Sequence, residues 1–222
     1  MTPLVSVLSP TIRGLQALRP IEQSLKDQTC QDFEWLVEID SGKEHRLNAA
    51  FNSMLRRARG KLVVVAEDWL WFERDGLQKF VEAFRSMSGY FFTAPVPKAP
   101  GYWEMNGKMF YKTPLVKEWR SENRGEPHWM NWEADWAAAP LKALKDIGGF
   151  DERMDQKWAC DNQSVAFRAS KRGWKFWNLI DNPAVALNHD AFWEHPFRHL
   201  YDPEWSKQQI ERFEHEDLPP LE

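Results

Sequence analysis

Gly60-Lys-Leu-Val-Val-Val-Ala-Glu-Asp-Trp-Leu-Trp-Phe72 is the stretch that decides the architecture. Its β-branched run over residues 61–66 is the pattern of a central strand buried on both faces, and it breaks off in two adjacent carboxylates, Glu67 and Asp68. Ligands of open α/β sheets bind at the carboxyl edge of the strands, which makes this pair candidate ligand-binding acids. A strand end with two solvated acids is the plain alternative.

Upstream of the stretch, Leu47, Ala50, Phe51, Met54, Leu55 and Ala58 form the stripe of an amphipathic helix, with Gly60 expected to close it as a C′ glycine. Further back, a short apolar strand over 4–8 exits through Ser9-Pro10-Thr11. A helical pattern follows over 15–28, with Pro20 as a local interruption or an early-turn residue, and then a strand over 32–39 that ends in Asp40-Ser41-Gly42. Downstream, Leu77, Phe80, Val81 and Phe84 predict another helix beginning near Asp75. Strand and helix alternate three times, which predicts a doubly wound α/β fold whose mostly parallel sheet is covered on both faces.

After Ser88 the rhythm changes. A strand over 90–94 leads into a Pro- and Gly-rich segment over 95–107 and a short strand over 108–111; further on come a strand over 132–139 and a helix over 140–147 opened by Pro140. Gly148-Gly149-Phe150-Asp151-Glu152 reads as a turn, and Asp161 precedes a helix over 162–172 closed by Gly173. Strands over 175–180 and 184–189 and a polar helix over 204–214 complete the reading. One domain over 1–222 is expected, with a first half at 1–88, a second at 89–200 and a C-terminal helix and tail at 201–222.

The composition, 43 % hydrophobic and 28 % charged, is that of a globular protein and excludes disordered and fibrous classes. A net charge of -4 argues against indiscriminate nucleic-acid binding through the overall field. Cys30 and Cys160 are far apart and carry no metal-ligand spacing, so neither a disulfide framework nor structural zinc is indicated. No basic flank precedes the first strand and no stretch approaches the ~20 apolar residues of a membrane span, so a cytoplasmic protein is expected. Several of the 13 tryptophans, among them Trp103, Trp119, Trp129, Trp132 and Trp136, fall outside regular apolar periods; most suit packing, and some suit a stacking platform for a ring.

In order and spacing these segments resemble family 2 glycosyltransferases of the GT-A fold, over most of the chain from Leu4 to about Asp190. Leu-Val-Ser-Val-Leu-Ser-Pro-Thr at 4–11 is similar to that family's opening strand and turn, and Gln28-Thr29 with Asp32-Phe33-Glu34 to the segment before its second strand. Asn48, Ala49, Asn52 and Ala58-Arg59-Gly60 resemble the Asn-rich helix that leads to the metal-site strand; Ile147-Gly148-Gly149-Phe150-Asp151-Glu152 is the most specific match. The segment 158–173 with Asp161 resembles the one that holds the family's base. There are three departures. Only residues 43–47 separate Gly42 from Asn48, the paired aspartates are reduced to Asp40-Ser41, and the Asp-x-Asp motif stands as Glu67-Asp68-Trp69.

The resemblance implies a Rossmann-like central sheet with a smaller acceptor-side sheet, and a metal-dependent inverting transfer of a sugar from a nucleoside diphosphate sugar, a UDP-sugar above others, to an acceptor hydroxyl. In that reading residues 1–88 bind the nucleotide sugar and 89–200 carry the acceptor side and the catalysis. Negative charge builds on the leaving diphosphate, and a divalent cation, Mn2+ or Mg2+, held by carboxylates neutralises it. Asp68 is the principal candidate ligand, Glu67 the second, and His189 the implied late ligand with His195 as fallback; a strand-end histidine bonded to backbone is the alternative for His189. Asp161 is the candidate general base, although an aspartate there also serves as a helix N-cap. Thr11 and Asp40 suit the nucleoside, and Arg13 or Arg46 the diphosphate, with a solvated-surface reading open for both arginines. Arg56, Arg57 and Arg59 read as an exposed helix face. Trp103, Trp132 and Trp158 are expected on the acceptor side, and Asp151, with Glu152, as a turn-fixing acid in the Gly-Gly-Phe-Asp-Glu bend that shapes that side. The acceptor classes left open are a glycan, a small molecule, a protein and a hydroxymethylated DNA base. Competing readings are a catalytically silent nucleotide-sugar-binding module and a nucleotidyltransferase; the latter lacks a Gly-rich basic loop after the first strand.

Overall fold

The computed structural model describes residues 2–39, 46–68, 70–99, 102–105, 108–111, 120, 122–155, 157, 161–187, 202–213 and 215–222, with backbone alone at 102–105 and 108–111. In chain order the elements are β1 (Val5–Thr11), α1 (Arg19–Lys26), β2 (Phe33–Ile39), α2 (Leu47–Arg57), β3 (Leu62–Ala66), β4 (Leu70–Phe72), α3 (Gly76–Ser86), β5 (Tyr90–Thr93) and β6 (Lys98–Ala99). They continue with β7 (Tyr102–Met105), β8 (Lys108–Tyr111), β9 (Trp136–Pro140), α4 (Leu141–Asp146), α5 (Asp161–Lys171), β10 (Lys175–Asn178), β11 (Ala184–Leu187) and α6 (Pro203–Phe213).

The quoted stretch forms the strand it predicts, buried along its whole length. Its side chains alternate between two cores because successive strand residues face opposite ways. Leu62, Val64 and Ala66 join Ile21 and Leu25 of α1 and Leu77, Phe80 and Val81 of α3. Val63 and Val65 join Phe51, Met54 and Leu55 of α2, Leu144 of α4 and Val165 of α5. The six-stranded sheet, ordered β10-β5-β9-β3-β1-β2, is therefore filled from both sides. β3, β1 and β2 run parallel, as do β10 and β5. β9 alone is reversed, pairing antiparallel with β3 and β5. A smaller sheet ordered β4-β11-β6 stands beside it, and β7 and β8 form a hairpin.

Several boundaries differ from the sequence expectations. The 15–28 pattern divides into a 3-10 turn, Leu15–Leu18, and α1, because Pro20 at the start of α1 lacks the N–H a continuing helix would need. Gly60 does not close α2 as a C′ glycine. A Cβ there would lie 2.5 Å from the Ser6 backbone N and 2.6 Å from the Val5 carbonyl carbon, so it is close approach to β1 that requires glycine. β9 begins at Trp136 rather than residue 132, and β4, which pairs antiparallel with β11, was not anticipated. The Gly148-Gly149 turn is held by Asn52 of α2. The Asn52 amide accepts from the Phe150 N–H and donates to its C=O, both at 2.8 Å, and Gly149 leaves room for it.

Candidate active site

Three strands bring their ends to one edge of the sheet. β1 delivers Thr11 and, just beyond it, Arg13; β3 delivers Glu67 and Asp68; the reversed β9 begins there, so Glu133 and Asp135 lie on its approach. Asp161 stands in the first turn of α5, one residue earlier in the helix than expected.

Asp68 is gripped on both oxygens. Arg13 Nη2 donates to Oδ1 at 2.5 Å and Nε to Oδ2 at 3.1 Å, a two-pronged ion pair, and the Thr11 hydroxyl donates to Oδ2 at 2.8 Å. That hydroxyl in turn accepts from the Arg13 backbone N–H at 3.1 Å. Glu67 is partly buried, with its backbone N–H on the Asp135 carbonyl at 3.0 Å. Burial first, then the charges of Asp135, Asp161 and Asp68, push its carboxyl well above the usual range, with Arg13 opposing.

Glu133, Asp135 and Arg120 belong to the same cluster and escaped the sequence reading. Arg120 is buried, its Nη2 3.1 Å from Asp135 Oδ2 and its Nη1 3.3 Å from Thr93 Oγ1. The Thr93 hydroxyl donates to the Glu133 carbonyl at 3.0 Å, and Asn162 Nδ2 donates to Glu133 Oε2 at 3.1 Å. Burial and Asp135 raise the Glu133 carboxyl to about 7; Arg120 and the Asn162 hydrogen bond act against them. A strand starting at Trp136 would have exposed Glu133 and Asp135 as edge acids. Arg120 has no local signal, since its partners lie in distant segments.

Five carboxylates, Glu67, Asp68, Glu133, Asp135 and Asp161, thus gather against two guanidinium groups, Arg13 and Arg120. Hard oxygen donors with a surplus of negative charge suit Mn2+ or Mg2+, and Asp68 with Glu67 would hold the ion. Among the described residues no three His, Cys, Asp or Glu side chains converge as a ready-made metal group. His189 and the fallback His195 lie outside the described residues.

Other expectations fare differently. Arg46 is exposed at the N-cap of α2, where the amide N–H groups of Asn48 and Ala49 are taken by Asp155 at 2.8 and 3.0 Å. The first-turn amides that would suit a phosphate are thus already engaged. Trp132 is a core residue and not an acceptor-side one: it is 1 % exposed, its indole N–H donates to the Phe92 carbonyl at 3.1 Å, and it packs edge-on against Phe91. Asp151 is buried in its bend, where its Oδ1 accepts from the Arg153 N–H at 3.1 Å and its oxygens meet the Arg153 and Arg212 side chains. Asp40, Trp158 and the Trp103 side chain lie outside the described residues. Arg56, Arg57 and Arg59 are engaged with Glu152, Glu38 and Glu34 on the surface.

No protein-family model matches the sequence, and no curated protein matches it. Solved structures do. Staphylococcus aureus TarS 1-349 in complex with UDP-GlcNAc aligns over 94 % of this chain and 65 % of its own, with TM-score 0.67 and 14 % identity. Its UDP complex aligns over 82 % and 60 %, with TM-score 0.60 and 15 % identity. The mannosyltransferase PcManGT from Pyrobaculum calidifontis, in complex with GDP-Man and Mn2+, aligns over 83 % and 57 %, with TM-score 0.57 and 15 % identity. The chain therefore spans less than two thirds of the length of each. At these identities the likeness is one of fold, and the fold is GT-A.

Proposed function

We propose that this protein transfers a sugar from a nucleoside diphosphate sugar, a UDP-sugar in the first instance, to an acceptor hydroxyl, with inversion and with Mn2+ or Mg2+ as cofactor. The observation that carries the reading is the meeting of Thr11, Arg13, Glu67, Asp68 and Asp161 at one strand edge of a GT-A fold. The UDP-GlcNAc, UDP and GDP-Man/Mn2+ complexes of its structural neighbours support the donor class and the cation.

In this reading Thr11 and Asp40 meet the nucleoside and Arg13, with Arg46, the diphosphate. Asp68, Glu67 and His189 hold the cation, which when bound neutralises charge on the departing diphosphate. Asp161 takes the proton of the acceptor hydroxyl as it attacks the anomeric carbon from the face opposite the diphosphate. Raised proton affinity at Glu67 fits a ligand that surrenders its proton to a cation. The acceptor is a glycan, a hydroxylated small molecule or a hydroxymethylated DNA base, and the expected compartment is the cytoplasm. Among the described residues no helix is long and apolar enough to cross a membrane.

A thermal-shift screen of UDP- and GDP-sugars with and without Mn2+, followed by mass spectrometry of donor turnover, tests the reading. A metal-dependent shift with release of nucleoside diphosphate is expected; no shift with any donor would sink it. The double grip on Asp68 favours a second reading, a silent binding module in which Arg13 holds the acid permanently. Its mark is donor binding without turnover, with or without metal.

A further inference from the structure

Arg13 lies in the short link between β1 and the 3-10 turn, and Gly14 beside it has a positive φ. The Arg13 side chain is 27 % exposed, whereas that of Asp68, on which it rests, is 9 % exposed. The guanidinium therefore covers a carboxylate more deeply placed than itself. A divalent ion needs an Asp68 oxygen lone pair; Oδ2 already accepts from Arg13 Nε and the Thr11 hydroxyl, and the lone pair left on Oδ1 lies beside Arg13 Nη2. Guanidinium and metal, both cationic, cannot share the acid without mutual repulsion. A diphosphate offers the guanidinium a second two-pronged partner of greater charge.

Resting on the nucleotide-sugar reading above, we propose that Arg13 is a positioning residue acting through Asp68. It neutralises the carboxylate in the donor-free protein and moves to the diphosphate when the donor enters, which frees Asp68 for the metal. Metal and nucleotide then bind cooperatively, because each removes the obstacle to the other, and the coupling is reciprocal by thermodynamic necessity. Thr11 stays on Asp68 throughout and keeps the carboxylate oriented.

Mn2+ binding, followed by the electron paramagnetic resonance signal of free Mn2+, tests this in the full chain without any acceptor or turnover. In the absence of nucleotide, Arg13→Gln should bind Mn2+ about tenfold more tightly than wild type, the loss of a charged hydrogen-bonded competitor. UDP or GDP should then strengthen Mn2+ binding less in Arg13→Gln than in wild type; chelation by the nucleotide itself is common to both. A structural lesion would weaken binding, so the direction of the change is diagnostic. Unchanged or weaker Mn2+ binding by folded Arg13→Gln overturns the proposal. Should that variant fail to fold, Arg13→Met, which keeps the apolar stem and removes the charge, is read instead: tighter Mn2+ binding than wild type supports the proposal, and equal or weaker binding overturns it. Asp68→Asn should lose the ion; if it binds Mn2+ as wild type does, the metal site at Asp68 fails and the proposal with it.

Discussion

Asp161 and Glu133 are two acids of one cluster with separable roles. Asp161→Asn keeps the shape of the side chain and removes the proposed base, so transfer should fall by about 10²–10⁴ while donor binding by thermal shift is kept. Glu133 is a folding-linked group. Its pKa is raised to about 7 in the folded state from the ordinary glutamate value of 4.5, so the folded protein holds more protons than the unfolded chain between those limits. Stability should therefore fall as pH rises through that window. Urea titrations at pH 5 and pH 7.5 in EDTA should show the loss, and Glu133→Gln should reduce it; Asp135, Asp161, Arg120 and Asn162 face the group and remain in both proteins. Trp132→Phe is the counterpart outside the site. It should lower stability by about 1–3 kcal/mol through a lost hydrogen bond and a smaller ring, with donor and acceptor KM unchanged.

At the scale of elements, most of the first half was legible because each strand and helix there carries its own period. The β3 strand, α2 and α3 needed nothing from distant residues. What escaped depends on distance in sequence: β4 forms because β11 pairs with it, and Arg120 is fixed by Thr93, Asp135 and Asn178. The candidate site was half readable for the same reason, since Thr11, Glu67 and Asp68 stand at strand ends and Asp161 opens a helix, whereas Glu133 and Asp135 lie in a connection whose end was misjudged. Trp132 was misplaced because an aromatic near a turn reads alike whether it points in or out. Two variants test the element joints. Gly60→Ala forces a methyl against the β1 backbone and should cost about 1–3 kcal/mol in urea unfolding. Asn52→Ala leaves the Phe150 N–H and C=O buried without their clasp, at about 1–3 kcal/mol for each group, and loosens the Gly148-Gly149 turn.

For the whole molecule, the reversed direction of β9 has a consequence for how the chain is put together. β5 ends at Thr93 and β9 starts at Trp136 on the same sheet edge, in adjacent strands, and the two are joined there by the Ala94 N–H on the Trp136 carbonyl at 3.0 Å. Between those two ends the described chain is tied down on the way, at β6 on β11 and at Gly125 on Asn178 of β10, and it comes back to nearly the same point. A loop closed in this way tolerates insertion: doubling its length costs only about 0.6 kcal/mol in closure entropy. Length can thus be added within this one closed loop with the pairing of β1, β2 and β3 left as it is.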